Sequence, residues 1–257
     1  MTFLALPNQP VTATGGFLRL ELPRTLRNRR FIVLAVAFPV AFYLLFTRVL
    51  TGGAVLDADE RAFFMVSMAA YGAIGASLSV AVRVSMERAN GWTRMLRVTP
   101  LPALGYVVTK LATGYLTAVP SILLVMAGGF LVNGVTLSVS TWLAVFVLLT
   151  LGVLPFAALG VAIGYAFDES TAQMVFTISF VGLAILGGLW TPISQFPDSL
   201  ATIGRMLPSY HFANLGWSAV AGRAPDPSDV VALVVYGAVF IGIVALRYRA
   251  TEMRAGG

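Results

Sequence analysis

Residues able to do chemistry are scarce in this sequence and gather in two stretches. The first is "MERANGWTRMLRVTPLP" (86–102), where Glu87, Arg88, Arg94 and Arg97 interrupt a chain that is only 11% charged. The second is "LPSYHFANLGW" (207–217), which holds His211, the sole histidine. Other chemistries fall away in turn. The absence of cysteine excludes disulfides, thiolate metal sites and cysteine nucleophiles. No GxxxxGK[ST] phosphate loop occurs, and Lys110, the only lysine, follows "ALGYVVT" without the glycines such a loop needs. The chain therefore does not hydrolyse ATP by that route. "GASLS" at 75–79 is no GxSxG elbow, and HExxH is missing. His211 has too few ligand-type neighbours for a metal site. It reads as an interfacial histidine paired with backbone or a lipid headgroup, with a substrate-gating role as the alternative.

The elements that must position these residues are membrane helices. The chain is 58% hydrophobic, with a mean hydropathy of +0.86. Six apolar runs, roughly 31–50, 63–82, 107–132, 142–166, 173–190 and 229–247, are each close to the ~20 residues that cross a bilayer. They are continuous rather than alternating, which argues against a β-barrel. The fold expected is all-α: one membrane domain over 1–257 with six transmembrane helices. "MTFLALPNQPV" lacks a basic n-region and is stopped by Pro7 and Pro10, so no cleaved signal peptide is expected.

Charge sets the expected orientation. With both termini cytoplasmic, 13 of the 17 basic residues lie inside: Arg19, Arg24, Arg27, Arg29 and Arg30; Arg83, Arg88, Arg94, Arg97 and Lys110; and Arg247, Arg249 and Arg254. Only Arg48, Arg61, Arg205 and Arg223 remain outside, a marked positive-inside bias. The formal net charge of +6 then reports topology and attraction to anionic lipid, with no nucleic-acid partner. Trp142, Trp190 and Trp217 fall at outer ends and Tyr106, Tyr165 and Tyr248 at inner ends, where interfacial anchors belong.

The longest cytoplasmic loop, read as a helix over 84–99, aligns Trp92, Met95, Leu96 and Thr99 on one face and stops at Pro100 and Pro102. It either lies on anionic lipid or docks a soluble partner; periodicity alone leaves both open. Span middles carry no ionisable residue, which disfavours a proton- or sodium-coupled carrier. The exterior stretch 191–228 is too apolar for a solvated loop and is cut by Pro192, Pro197 and Pro208. Two short helices are expected there, about 193–204 and 208–221, dipping into the outer leaflet. Small residues in "MAAYGAIGASLS" (68–79), with Ala69/Ala73 and Gly72/Ala76 four apart, suggest close packing of the second span, with a conduit wall or dimer seam as the alternative. Pro39, Pro120 and Pro155 are expected to kink spans one, three and four.

Three stretches, in order, resemble the ABC-2 type exporter permeases. "RTLRNRRFIVLAVAFPVAFYLLF" is similar to that family's N-terminal amphipathic connecting helix and first span. "ERANGWTRMLRVTPLPALGYVVTK" resembles its coupling-helix region, with Glu87, Arg88, Gly91, Leu96, Pro100, Pro102 and Lys110 in matching places. "LWTPISQFPDSLATIGRMLPSYH" resembles its exterior re-entrant pair, with Phe196, Pro197, Leu207, Pro208 and Tyr210.

The resemblance implies a permease in the bacterial plasma membrane, working as a homodimer or with a related permease. Two copies of a separate ABC ATPase would hold ATP and Mg, and this chain would carry no cofactor. Docking would fall on Glu87, Arg88, Gly91, Trp92, Arg94 and Leu96, and an exterior gate on Phe196, Pro197, Pro208, Tyr210 and His211. The conduit would be lined mainly by spans one, two and five. Its nearly uncharged lining suits a hydrophobic or amphipathic substrate such as a drug, antibiotic or lipid. The rival reading is a partner-free membrane scaffold or insertase-like protein.

Overall fold

The computed structural model describes residues 9–26, 37–48, 56–92, 95 and 103–255, and among these every regular element is helical. Helix α1 (Gln9–Leu26) precedes α2 (Phe38–Arg48), which carries the described part of the first apolar run. The rest of that run lies outside the described residues. Five helical stretches are long and apolar enough to cross a membrane: Ala58–Ala89, Leu104–Leu131, Val139–Ala166, Glu169–Leu186 and Pro227–Tyr248. They match the expected second to sixth spans with shifted ends.

Local signals explain where these helices start and break. Asp57 accepts from Glu60 N, and Glu60 Oε2 accepts from Asp57 N, a reciprocal capping box that opens α3 (Ala58–Leu78). Ser79 separates α3 from α4 (Val80–Ala89) and donates its hydroxyl to Ala76 O at 2.6 Å, so the second span is two helices in one line. α5 (Ala103–Leu131) runs through Pro120 without ending. The fourth span divides instead: α6 (Val139–Gly152) stops at Val153, and α7 (Leu154–Ala166) restarts with Pro155 in its first turn. Pro155 thus occupies the position where a missing N–H costs least. Asp168 caps α8 (Glu169–Leu186), and donation from Thr171 N, then from the Ser170 and Thr171 hydroxyls, holds its carboxyl below the ordinary range.

After α8 come a short 3₁₀ turn (Ile193–Gln195), α9 (Asp198–Met206), α10 (Pro208–Val220) and α11 (Pro227–Ala255). The two helices expected over 193–204 and 208–221 exist. The first begins five residues later than expected, because Pro197 precedes it and Asp198 favours its first turn.

The core is centred on α3, which packs antiparallel to α5. In its span 89% of the most apolar window is buried, against 11% for α8 and 17% for α11. The small residues of 68–79 serve packing within the chain: a Cβ on Gly72 would strike the Ser121 hydroxyl and lie 2.9 Å from Pro39 Cγ. Most of helix α3 is therefore covered by its own neighbours within the chain, as the close packing expected of its small residues requires.

Candidate functional site

At one end of the bundle the chain collects its buried charge. Lys110 lies eight residues into α5 and is wholly buried. Its Nζ donates to Glu21 Oε1 of α1 at 2.5 Å and to Glu87 Oε1 of α4 at 2.7 Å. Tyr106 donates its hydroxyl to Glu87 Oε2 at 2.6 Å, and the ammonium sits 5.3 Å from the Tyr106 ring centroid. Lys110, counted in the sequence as a loop residue serving topology, is a structural cation inside a helix. Two carboxylates and one ammonium bind three helices through charge-assisted hydrogen bonds in a site of low dielectric.

Arg88 turns the other way. Its guanidinium donates to Gly164 O and Tyr165 O, both at 2.8 Å, and lies 5.4 Å from the Tyr165 ring centroid. These carbonyls belong to the last turn of α7, where backbone acceptors lack intrahelical partners and a cation is favoured. The pairing is possible because α4 and α7 run side by side at very short range. A Cβ on Gly164 would be 2.6 Å from Val84 Cβ and 2.7 Å from Ala81 O, and one on Gly160 2.7 Å from Val80 Cγ1. "GVAIG" (160–164) is thus a small-xxx-small contact that the sequence reading passed over.

The expected continuous helix over 84–99 is instead broken. α4 ends at Ala89, and Gly91 takes a φ of +71°, a left-handed conformation that closes a helix with little strain only for glycine. Met95 N then bonds Gly91 O, starting a new turn. Trp92 is half-buried against a small cluster that includes Val84, Tyr106 and Tyr165. Met86, Ala89, Asn90 and Met95 are exposed. Arg94 and Leu96 lie outside the described residues. Of the six expected docking residues, Glu87 and Arg88 face into the chain rather than away from it. Tyr106 was expected only as an interfacial anchor and Lys110 only as part of the basic coupling region, while Glu21 drew no attention; the signal for their cluster was a lone lysine one turn after a tyrosine in an apolar helix.

The opposite end holds the α9–α10 pair. Helix α10 is seated within the bundle: Phe212 and Leu215 meet Gly152 at the α6–α7 break, and Gly216 meets Val66. Pro208 is buried at its first turn, while Phe196 is half-buried and Pro197 exposed. Tyr210 packs edge-on against His211 and Trp217. His211 Nδ1 lies 2.7 Å from Asp229 Oδ1, and Asn214 donates to Asp229 Oδ2 at 2.8 Å. A side-chain carboxylate, rather than backbone or a headgroup, is therefore the partner of the histidine. Trp217, expected at the interface, is buried, and its Nε1 donates to Ser67 Oγ at 3.1 Å. Among the described residues no group of His, Asp and Glu could hold a metal ion.

A bundle of apolar helices, with a charged, helix-broken segment at one end and the short α9–α10 pair at the other, is the architecture of a multi-pass membrane protein. A profile described as "ABC-2 family transporter protein" matches residues 57–246, and the chain belongs to that family. It is 32% identical over 222 residues, 86% of this chain and 91% of the relative, to "Putative transport permease YvfS" of Bacillus subtilis (strain 168). It is a multi-pass membrane protein, and the family implies an ABC ATPase partner.

Proposed function

We propose that this chain is the membrane-spanning subunit of an ATP-driven exporter, energised by two copies of a separate ATPase that dock at the charged end. The observation that carries the reading is the Glu21–Lys110–Glu87 cluster. It ties the end of α4, where Met86, Ala89 and Asn90 are exposed, to α1 and α5, while Arg88 ties it to α7. A displacement of that helix end by a partner reaches three helices at once. On this reading Glu87 and Arg88 transmit the docking event, and Met86 and Met95 touch the ATPase, with Gly91, Trp92, Arg94 and Leu96 completing the surface. ATP and Mg would be held by the partner.

The positive-inside bias supports a cytoplasmic charged end, with both termini inside and the α9–α10 pair facing out. The gate assignment of Phe196, Pro197, Pro208, Tyr210 and His211 then rests on a pair wedged between α3, α6 and α8. The bacterial relative supports placement in the plasma membrane of a bacterium.

One cysteine scan tests sidedness and docking together, in a chain without native cysteine. A cysteine at Asp57 should react with a membrane-impermeant reagent from outside. Cysteines at Met86 and Met95 should react only from inside, and should become protected when the ATPase is bound. Labelling of Met86 from outside would invert the topology. Unchanged reactivity with the ATPase present would favour the partner-free scaffold, in which the same methionines rest on lipid.

A second copy of the chain is proposed to pair along α8. The outward face of α11 is Val230, Val231, Val234, Val235, Val239 and Ile241, which suits lipid. The exposed face of α8 instead interleaves Gln173 and Thr177 with Met174 and Ile178, and polar groups are disfavoured against acyl chains. No residue of α8 after Glu169 is charged, which supports a hydrophobic or amphipathic substrate along a shared conduit. Thr177→Cys should form a cross-linked dimer under mild oxidation in membranes, whereas Val235→Cys should not. The reverse result would place the seam on α11.

A further inference from the structure

We propose that the cavity between the start of α3 and the re-entrant segment binds an amphipathic organic cation. The cavity is about 620 Å³, within the range of small-molecule sites. Its wall is aromatic. Phe63 stacks on Trp217 with centroids 4.6 Å apart and planes 12° apart, and Phe64 meets Phe63 edge-on at 5.9 Å. From Met65 to Leu78 every residue of α3 is buried, yet Phe63 and Phe64 stay half-buried and present their rings to this space.

The mouth is acidic. Asp59 and Glu60 line it and are exposed, as is Gln195, which also belongs to the lining. The one basic neighbour in that turn, Arg61, is turned away: its Nε donates to Asp57 O at 3.2 Å and its Nη1 to Asn133 O at 2.8 Å. Glu60 spends one carboxylate oxygen on Asp57 N, and Asp59 forms no ion pair among the described residues. An aromatic wall under two carboxylates takes a cation by its charge and an apolar body by its surface, and repels an anion of the same shape. The far wall, Pro192 and the end of α10, belongs to the re-entrant segment, so an occupant bridges that segment to α3.

The inference rests on the permease reading and narrows its substrate from amphipathic to cationic. Tetraphenylphosphonium and tetraphenylborate have nearly the same size and shape and opposite charge, and both can be measured on the purified full-length chain in maltoside micelles, with protein-free micelles subtracted. The phosphonium should bind at least tenfold more tightly than the borate. Asp59→Asn with Glu60→Gln should remove that preference by weakening phosphonium binding at least tenfold at unchanged thermal stability, since Gln keeps the capping box. Equal binding of the two ions by the unaltered chain, or an unchanged preference in the double variant, overturns the proposal. Displacement of the probe by equimolar short-chain phosphatidylcholine would assign the site to a lipid headgroup and overturn a free cation as its ligand. The assay contains no ATPase, so loss of ATPase association would refute the transport reading without altering this result.

Discussion

Lys110→Met is expected to destabilise the protein by about 3–5 kcal/mol, because it strands two carboxylates around a buried site. Glu21 and Glu87 both lose the ammonium that pairs them, and the single Tyr106 hydroxyl cannot satisfy the oxygens of two carboxylates. Removing the charges together should behave differently. Glu21→Gln, Glu87→Gln and Lys110→Met combined should recover most of the loss, since neutral groups of similar volume carry little desolvation penalty. Thermal unfolding in detergent reads both variants. If Lys110→Met alone unfolds within about 1 kcal/mol of the parent, the cluster contributes far less than a buried ion triad should. The triple variant also separates stability from transmission. A stable chain that still recruits its ATPase, but leaves ATP turnover unaffected by substrate, would locate the coupling in these three charges.

Gly164→Leu carries the second largest effect. The added side chain points at Val84 and at Ala81 O, and a backbone carbonyl of a packed helix cannot rotate aside. Overpacking of this kind combined with lost hydrogen bonds to a charged donor gives an expected cost of about 3 kcal/mol. The donor is Arg88, whose two carbonyl partners move away as α4 and α7 separate. Gly242→Ala on the exposed face of α11 provides the comparison, because nothing lies within 4 Å of its added Cβ. That change should stay within about 1 kcal/mol, on the side favoured by the better helix propensity of alanine. Equal melting temperatures for Gly164→Leu and Gly242→Ala would mean that the α4–α7 contact is looser than the distances indicate.

Two of the residues singled out in the sequence as docking groups, Glu87 and Arg88, have partners within the chain that the sequence did not reveal. Glu87 and Arg88 drew attention as charges in a loop between apolar runs, and such charges ordinarily face water or a partner. Their acceptors and donors, Lys110, Tyr106 and the α7 carbonyls, lie 19 to 77 positions away in the chain. No periodicity within 86–102 carries information about partners so distant. The same holds for His211, whose carboxylate partner arrives 18 positions later at the start of α11. By contrast, Asp57 with Glu60 and Asp168 with Thr171 are caps readable in place, because both members sit within one turn.

The sequence by itself determined that this is a helical membrane protein with no phosphate loop, that its spans follow in this order, and that a short broken-helix pair precedes the last one. Those properties are local: about 20 apolar residues must cross the hydrocarbon as a helix, and proline must interrupt one. Only the tertiary structure decided that α3 is enclosed by its neighbours while α8 and α11 are left uncovered. It also decided that the helix before Gly91 ends there, and that Lys110 is a buried hub rather than a basic residue of a loop. In a chain 58% hydrophobic, almost every helix face looks equally fit for lipid. The choice among faces is made by small residues and a few charges that find partners far along the chain, where close packing and charge-assisted hydrogen bonds outweigh what any single segment prefers.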